Sequence, residues 1–152
     1  MEKVNSSFQE FLKKKKQDNK KDQVDWDKRK SAWLKSIEKF YSNIKVWLTP
    51  FQTDGLIDIK EKEIDINEEY IGYYKTKRLD IYLGNDIISL TPRGTLILGS
   101  YGRIDMRGPK GEKMIIEPEW EKWEFAIRTP KLKMWKITEE SFKSAIQDIV
   151  NG

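Results

Sequence analysis

IISLTPRGTLILGSYGRIDMRGPKG, residues 87–111, decides the fold. Three short apolar runs at 87–90, 95–98 and 103–106 are separated by Pro-Arg-Gly, Gly-Ser-Tyr-Gly and Gly-Pro-Lys-Gly. Runs this short, bounded by Gly and Pro, predict antiparallel strands joined by tight turns. Glycine admits the positive φ that such turns need, and Pro109 presets φ for the first central position of its turn.

Toward the C-terminus, Met114 and Ile116 form a strand that stops at Pro118. Trp123, Phe125 and Ile127 alternate with Lys122, Glu124 and Ala126, the pattern of a half-buried strand. Residues 132–137 supply a last strand after Thr129-Pro130. Thr138 then caps a final helix with Glu139 and Glu140 in its first turn. Phe142, Ala145, Ile146 and Ile149 give that helix one apolar face.

Toward the N-terminus, Gly84-Asn85 signals a two-residue hairpin. Leu79, Ile81 and Leu83 alternate with polar residues before it, and Ile71 with Tyr73 precedes them. Ile57 and Ile59 share one parity while Ile64 and Ile66 share the other, so a bulge or turn is expected near residues 60–62. Residues 25–49 make the clearest helix. Trp33, Ile37, Tyr41, Ile44 and Leu48 recur at its period, Asp25 or Asp27 is the expected cap, and Pro50 the expected stop.

Helix, about eight or nine antiparallel strands, helix: the expected fold is α+β. It is a curled, barrel-like antiparallel meander with an N-terminal and a C-terminal helix packed on it. Residues 25–152 are expected to form this single domain, preceded by a basic arm or helix over residues 1–24.

The 152 residues include no cysteine and no histidine. Disulfides and thiol catalysis are thereby excluded, as are Ser-His-Asp and Cys-His hydrolases and zinc sites with Cys or His ligands. Carboxylates, Lys, Tyr or an oxygen-ligated Mg²⁺ or Ca²⁺ would have to carry any catalysis. No apolar run is long enough to span a bilayer, and a cytoplasmic protein is expected.

Of the formal charge of +4, the whole excess lies in residues 1–30, with ten Lys/Arg against six Asp/Glu. Residues 31–152 hold nineteen of each sign. Within the arm, Val4, Phe8, Phe11 and Leu12 fall at helical spacing and run into Lys13, Lys14, Lys15 and Lys16. A basic amphipathic element can serve nucleic acid, an acidic membrane or a partner. A solvated terminus is the plainer reading and is preferred here, since the lysines lack interleaved aromatics or arginines.

Candidate binding residues come from aromatics and arginines in excess of packing needs. Trp26 and Trp47 sit at the margins of the first long helix. Trp120 and Trp135 lie near the end of the sheet, while Trp123 shares the core parity of Phe125 and Ile127. On a strand, Arg103, Asp105 and Arg107 share one face, with Arg93 and Lys110 in the flanking turns. An anion site there competes with a simpler ladder of ion pairs, which is the favoured reading. The Gly-Ser-Tyr-Gly stretch opens no helix and lacks the P-loop lysine, so it reads as a turn. Carboxylates over 61–69 and 117–124 sit beside lysines or in turns, as solvated charge does. No metal site and no cofactor are expected.

At residues 40–48 (FYSNIKVWL), 91–109 (TPRGTLILGSYGRIDMRGP) and 129–142 (TPKLKMWKITEESF) the chain resembles a family of small, uncharacterised bacterial proteins. The resemblance covers most of residues 31–150. It implies a single intracellular bacterial domain and brings no activity or catalytic residue.

By elimination, the expected function is non-enzymatic partner binding, as an accessory, scaffold or immunity-type component. Trp120, Trp135, Trp26, Trp47, Arg103 and Arg107 are its candidate contacts. The alternative is a nucleic-acid-binding module that uses the four-lysine run for phosphates and sheet aromatics for bases. A carboxylate- and metal-dependent hydrolase is a third and lesser reading. Self-association through exposed sheet edges is a further possibility to be tested.

Overall fold

The computed structural model describes residues 7–15, 25–96, 100–127 and 131–152. Helix α1 (residues 7–15) precedes the long helix α2 (Trp26–Thr53). Seven strands follow among the described residues: β1 (Ile57–Glu68), β2 (Gly72–Leu83), β3 (Asp86–Gly94), β4 (Arg103–Gly108), β5 (Gly111–Glu119), β6 (Lys122–Ile127) and β7 (Lys133–Lys136). Helix α3 (Glu139–Asn151) closes the chain. Every strand pairs antiparallel with its neighbour in sequence, in the order β1-β2-β3-β4-β5-β6-β7. Strands β1 and β7 are edges, so the sheet is open and not a barrel.

The expected eight or nine strands become seven for two physical reasons. The runs around Ile57 and Ile64 belong to one twelve-residue strand, and those around Ile71 and Leu79 to another. Their pairing keeps one register from Ile57↔Leu83 to Glu68↔Gly72, with no bulge near residues 60–62. The parity change is instead made by both strands together. Leu79 and Ile81 are buried on one face of the ribbon, Ile66 and Tyr74 on the other. Strand β3 pairs with β2 only from Leu79 to Leu83. Beyond that point the ribbon has two strands, is free to twist strongly, and turns its opposite face inward.

The middle expected strand of the central stretch, 95–98, is also corrected. Thr95 and Leu96 lie in a loop, where the Glu68 carboxylate takes both their N–H groups at 2.9 Å. Residues 97 and 98 fall outside the described residues.

Helix α2 lies across the sheet with Trp33, Ile37, Phe40, Tyr41, Ile44 and Leu48 buried. Asp25 is its cap, accepting from the Lys28 N–H at 3.1 Å. Pro50 does not stop it. Pro50 stands in the last turn, where its missing N–H breaks one bond, and the carbonyls of Pro50, Phe51 and Gln52 are taken by the N–H groups of Asp54, Leu56 and Gly55. The α2 stripe packs on Leu79, Ile81, Ile88, Leu90, Ile104, Met106, Ile115 and Phe125, and α3 completes this core with Phe142, Ala145, Ile146 and Ile149. At Gly102 a Cβ would overlap the ring of Trp33, so only glycine lets the chain pass there. Thr138 caps α3 in a reciprocal box with Ser141. No helix among the described residues is long and apolar enough to cross a membrane.

Candidate functional site

The meander sends three connections to the N-terminal end of α2: the β1–β2 turn, the β3–β4 loop and the β5–β6 turn. Each delivers an aromatic. Tyr70 from the first stacks on Trp26, with ring centroids 5.3 Å apart. Tyr101 from the second stacks on Trp120 from the third at 4.4 Å. Arg29, one helical turn beyond Trp26, places its guanidinium 5.6 Å from the centre of the Tyr101 ring. Two stacks, Trp120–Tyr101–Arg29 and Trp26–Tyr70, thus lie one helical turn apart and together form a ladder of planar groups along one end of the molecule.

The ladder stands on a partly buried hydrogen-bond frame. Arg29 is fixed to Thr95 through its side-chain oxygen at 3.1 Å and its carbonyl at 2.6 Å. Glu68 holds the same loop through Thr95 and Leu96, and its second oxygen accepts from the Tyr74 hydroxyl. The Trp33 indole N–H donates to that hydroxyl at 3.1 Å. Burial pushes the Tyr74 phenol far up, and the adjacent Glu68 carboxylate adds to the rise, so Tyr74 acts as a neutral donor.

Tyr70 departs from ordinary backbone economy. Its φ is 68°, a left-handed conformation that a bulky residue adopts at a cost, and its side chain is 71% exposed. Tyr73 nearby is 80% exposed. Arg29, Tyr70, Tyr101 and Glu68 were not singled out by the sequence. The one local signal was Tyr70 itself, a turn residue two positions before the glycine such a turn invites.

The remaining candidates are dispersed. Trp47 packs against Phe142 at 5.8 Å and, with Phe40, Asn43, Pro118, Trp123 and Lys136, lines an open groove of about 560 Å³ between α2 and the β5–β6 hairpin. Trp135 leans on Phe125 at 5.7 Å, half-buried on β7. Arg103 and Arg93 both bond Asp105 at 2.8 Å, and Arg107 bonds Glu112 at 3.0 Å. The arginine forks are thus engaged in a ladder of ion pairs on the sheet face away from the helices. Of the four lysines, Lys13, Lys14 and Lys15 are exposed on α1, and Lys16 lies outside the described residues.

Beside the groove, Glu117 is fully buried at the β5 bulge, where the register shifts between Ile116 and Glu119. One of its oxygens accepts from the Ser36 hydroxyl and from the Glu121 N–H, the latter at 2.6 Å. Its Oε1 has no partner among the described residues. Burial pushes this carboxyl up, against the two donors that favour its charge. On the far face, Asp80 is also buried, but Arg78 and Ser89 outweigh desolvation and hold it below the usual carboxylate range. Among the described residues no three carboxylates converge as a metal site.

Comparison with protein-family models, with curated proteins and with solved structures found no match to this chain.

Proposed function

We propose that this protein is a non-enzymatic partner-binding protein, an accessory, scaffold or immunity-type component of a bacterial system. Its docking surface is the aromatic end built from Trp26, Arg29, Tyr70, Tyr101 and Trp120. Tyr70 carries the reading. A strained backbone that holds a large ring in solvent costs stability, and such costs concentrate where a surface is used. Tyr, Trp and Arg are also the side chains that dominate binding energy at protein interfaces, because they bring large area at low entropic cost. The frame of Arg29, Thr95 and Glu68 supports this by holding the rings in place before any partner arrives.

The test is site-specific photo-crosslinking in the cell cytoplasm, with the photoreactive residue at Tyr70 or Tyr101 and a control at Val46. Val46 is 69% exposed on the far part of α2 and belongs to no aromatic cluster. One discrete protein adduct from positions 70 and 101, absent from 46 and abolished by Trp120→Ala, is expected. No adduct from either position, or the same adducts from all three, removes the assignment.

The nucleic-acid reading draws on the open rings of Tyr70 and Tyr73, which suit base stacking. Glu68 and Glu69 precede Tyr70 in the chain, and Asp25 and Asp27 flank the Trp26 on which it stacks; these acids repel phosphate and rank this reading second. It predicts oligonucleotide affinity that falls steeply with salt, measured on the full-length chain.

A further inference from the structure

Helix α1 leaves its apolar side chains uncovered. Phe8, Phe11 and Leu12 are 62%, 60% and 50% exposed. They project from one side of the helix, since residues three and four apart are neighbours on its surface. The Phe8 and Phe11 rings stack on each other at 6.3 Å, which joins them into one wedge. Lys15 falls on that side at the helix end, Lys14 borders it, and Lys13 lies across the helix with Glu10.

We propose that α1 is a membrane-surface element that lies in the plane of an anionic phospholipid bilayer. The wedge enters the headgroup boundary while Lys13, Lys14 and Lys15 meet lipid phosphates and carboxylates. Charge complementarity selects this occupant. The chain's entire positive excess lies in residues 1–30, whereas the rest is balanced, so an anionic surface draws the protein in by this end. The stem of Lys15 can lie along the apolar side and lift its ammonium to the phosphates. Nucleic acid fits the lysines but not the wedge. Leu12 has no ring to stack, and the two phenylalanines already turn toward each other. The nine described residues of α1 make roughly 14 Å of helix with one apolar side, which suits a peripheral position. A short wedge of three side chains implies weak and reversible attachment.

The experiment is sedimentation of the full-length protein with vesicles of phosphatidylcholine alone, or with phosphatidylserine as about a third of the lipid. Binding is expected only to the phosphatidylserine vesicles, and it should weaken at physiological salt. Phe8→Ser with Phe11→Ser, and separately Lys13→Gln with Lys14→Gln and Lys15→Gln, should each lower the partition coefficient about tenfold or more. Circular dichroism should show both variants folded, because these side chains belong to no core cluster. Absence of sedimentation at low salt overturns the proposal, as does equal binding to both vesicles. Binding retained by the phenylalanine variant would also overturn it, since the wedge would then be idle. So would salt-sensitive capture of a single-stranded oligonucleotide by protein that ignores the vesicles.

Discussion

The hydroxyl of Tyr41 stands 2.8 Å from the carbonyl oxygen of Lys77, where β2 parts from β3. The carbonyl of Leu90, on the other side of the split, is 3.3 Å from the same hydroxyl. One phenolic proton from α2 thus serves two strand carbonyls that no longer reach each other's strand. Burial, with the nearby Glu61 charge, pushes the Tyr41 phenol far above its ordinary value, so it remains a donor at every working pH. Tyr41→Phe keeps the ring and removes the donor. The expected loss is about 1–3 kcal/mol, the cost of a buried carbonyl left unpaired. Urea unfolding should show a lower midpoint with unchanged slope, and hydrogen exchange should rise around residues 77–79.

Glu117 gives a prediction with a defined sign. Its folded carboxyl is held above 4.5, the ordinary value it regains on unfolding. Below that pH both states are protonated and the group has no effect on the equilibrium. As pH rises past it, the unfolded chain releases the proton first, so the folded state binds more protons and stability falls. The fall ends once the folded carboxyl also ionises. Glu117→Gln abolishes the titration and keeps the shape. The stability of the wild type minus that of the variant, measured by urea titration at a series of pH values, should decrease from pH 4.5 upward and then level off. A difference that stays flat, or grows with pH, would contradict a buried neutral carboxyl at this bulge.

Glu68 supports the aromatic end from below. Its removal in Glu68→Ala leaves the Thr95 and Leu96 N–H groups and the Tyr74 hydroxyl without their acceptor. Hydrogen bonds to charged groups contribute about 1.5–3 kcal/mol, so a loss of at least that size is expected on thermal or urea unfolding. Amide exchange at Thr95 and Leu96 should accelerate more than in the sheet. Glu68→Gln retains an acceptor and should recover part of both effects. If neither amide changes its exchange, the Glu68 clamp does not hold the loop.

How much of this was legible follows the range of the forces involved. The α2 stripe and the Thr138 cap are written within a few residues of each other, and the structure has them where periodicity and capping put them. The parity switch between Ile59 and Ile64 was visible, but its cause was not. A bulge is a local device, whereas a ribbon released from its neighbour depends on where β3 stops pairing. The Thr95–Leu96 segment opens a short apolar run like that of a strand, yet a carboxylate more than twenty residues earlier in the chain takes its N–H groups. Glu117, placed directly after Ile115 and Ile116 and before a proline, was the best unused clue to a buried acid. Trp26 and Trp120 were chosen separately, and only the topology places them on one ladder through Arg29 and Tyr101. That convergence has no signature in spacing.

Tyr70 separates stability from function within a single residue. Its φ of 68° costs roughly 1–2 kcal/mol for an L side chain, while its stack on Trp26 returns about 0.5–1.5 kcal/mol. Tyr70→Gly relieves the backbone and forfeits the stack, so its stability should stay within about 1 kcal/mol of the wild type. Tyr70→Ala forfeits the stack and keeps the strain, so it should be the less stable of the two. That order, glycine above alanine on urea unfolding, tests the strained backbone by itself. Both variants should lose the photo-crosslink from Tyr101 to a protein partner, since the ladder then ends at Trp26. A partner retained by the glycine variant would show that the exposed ring is dispensable, and the docking surface would contract to Arg29, Tyr101 and Trp120.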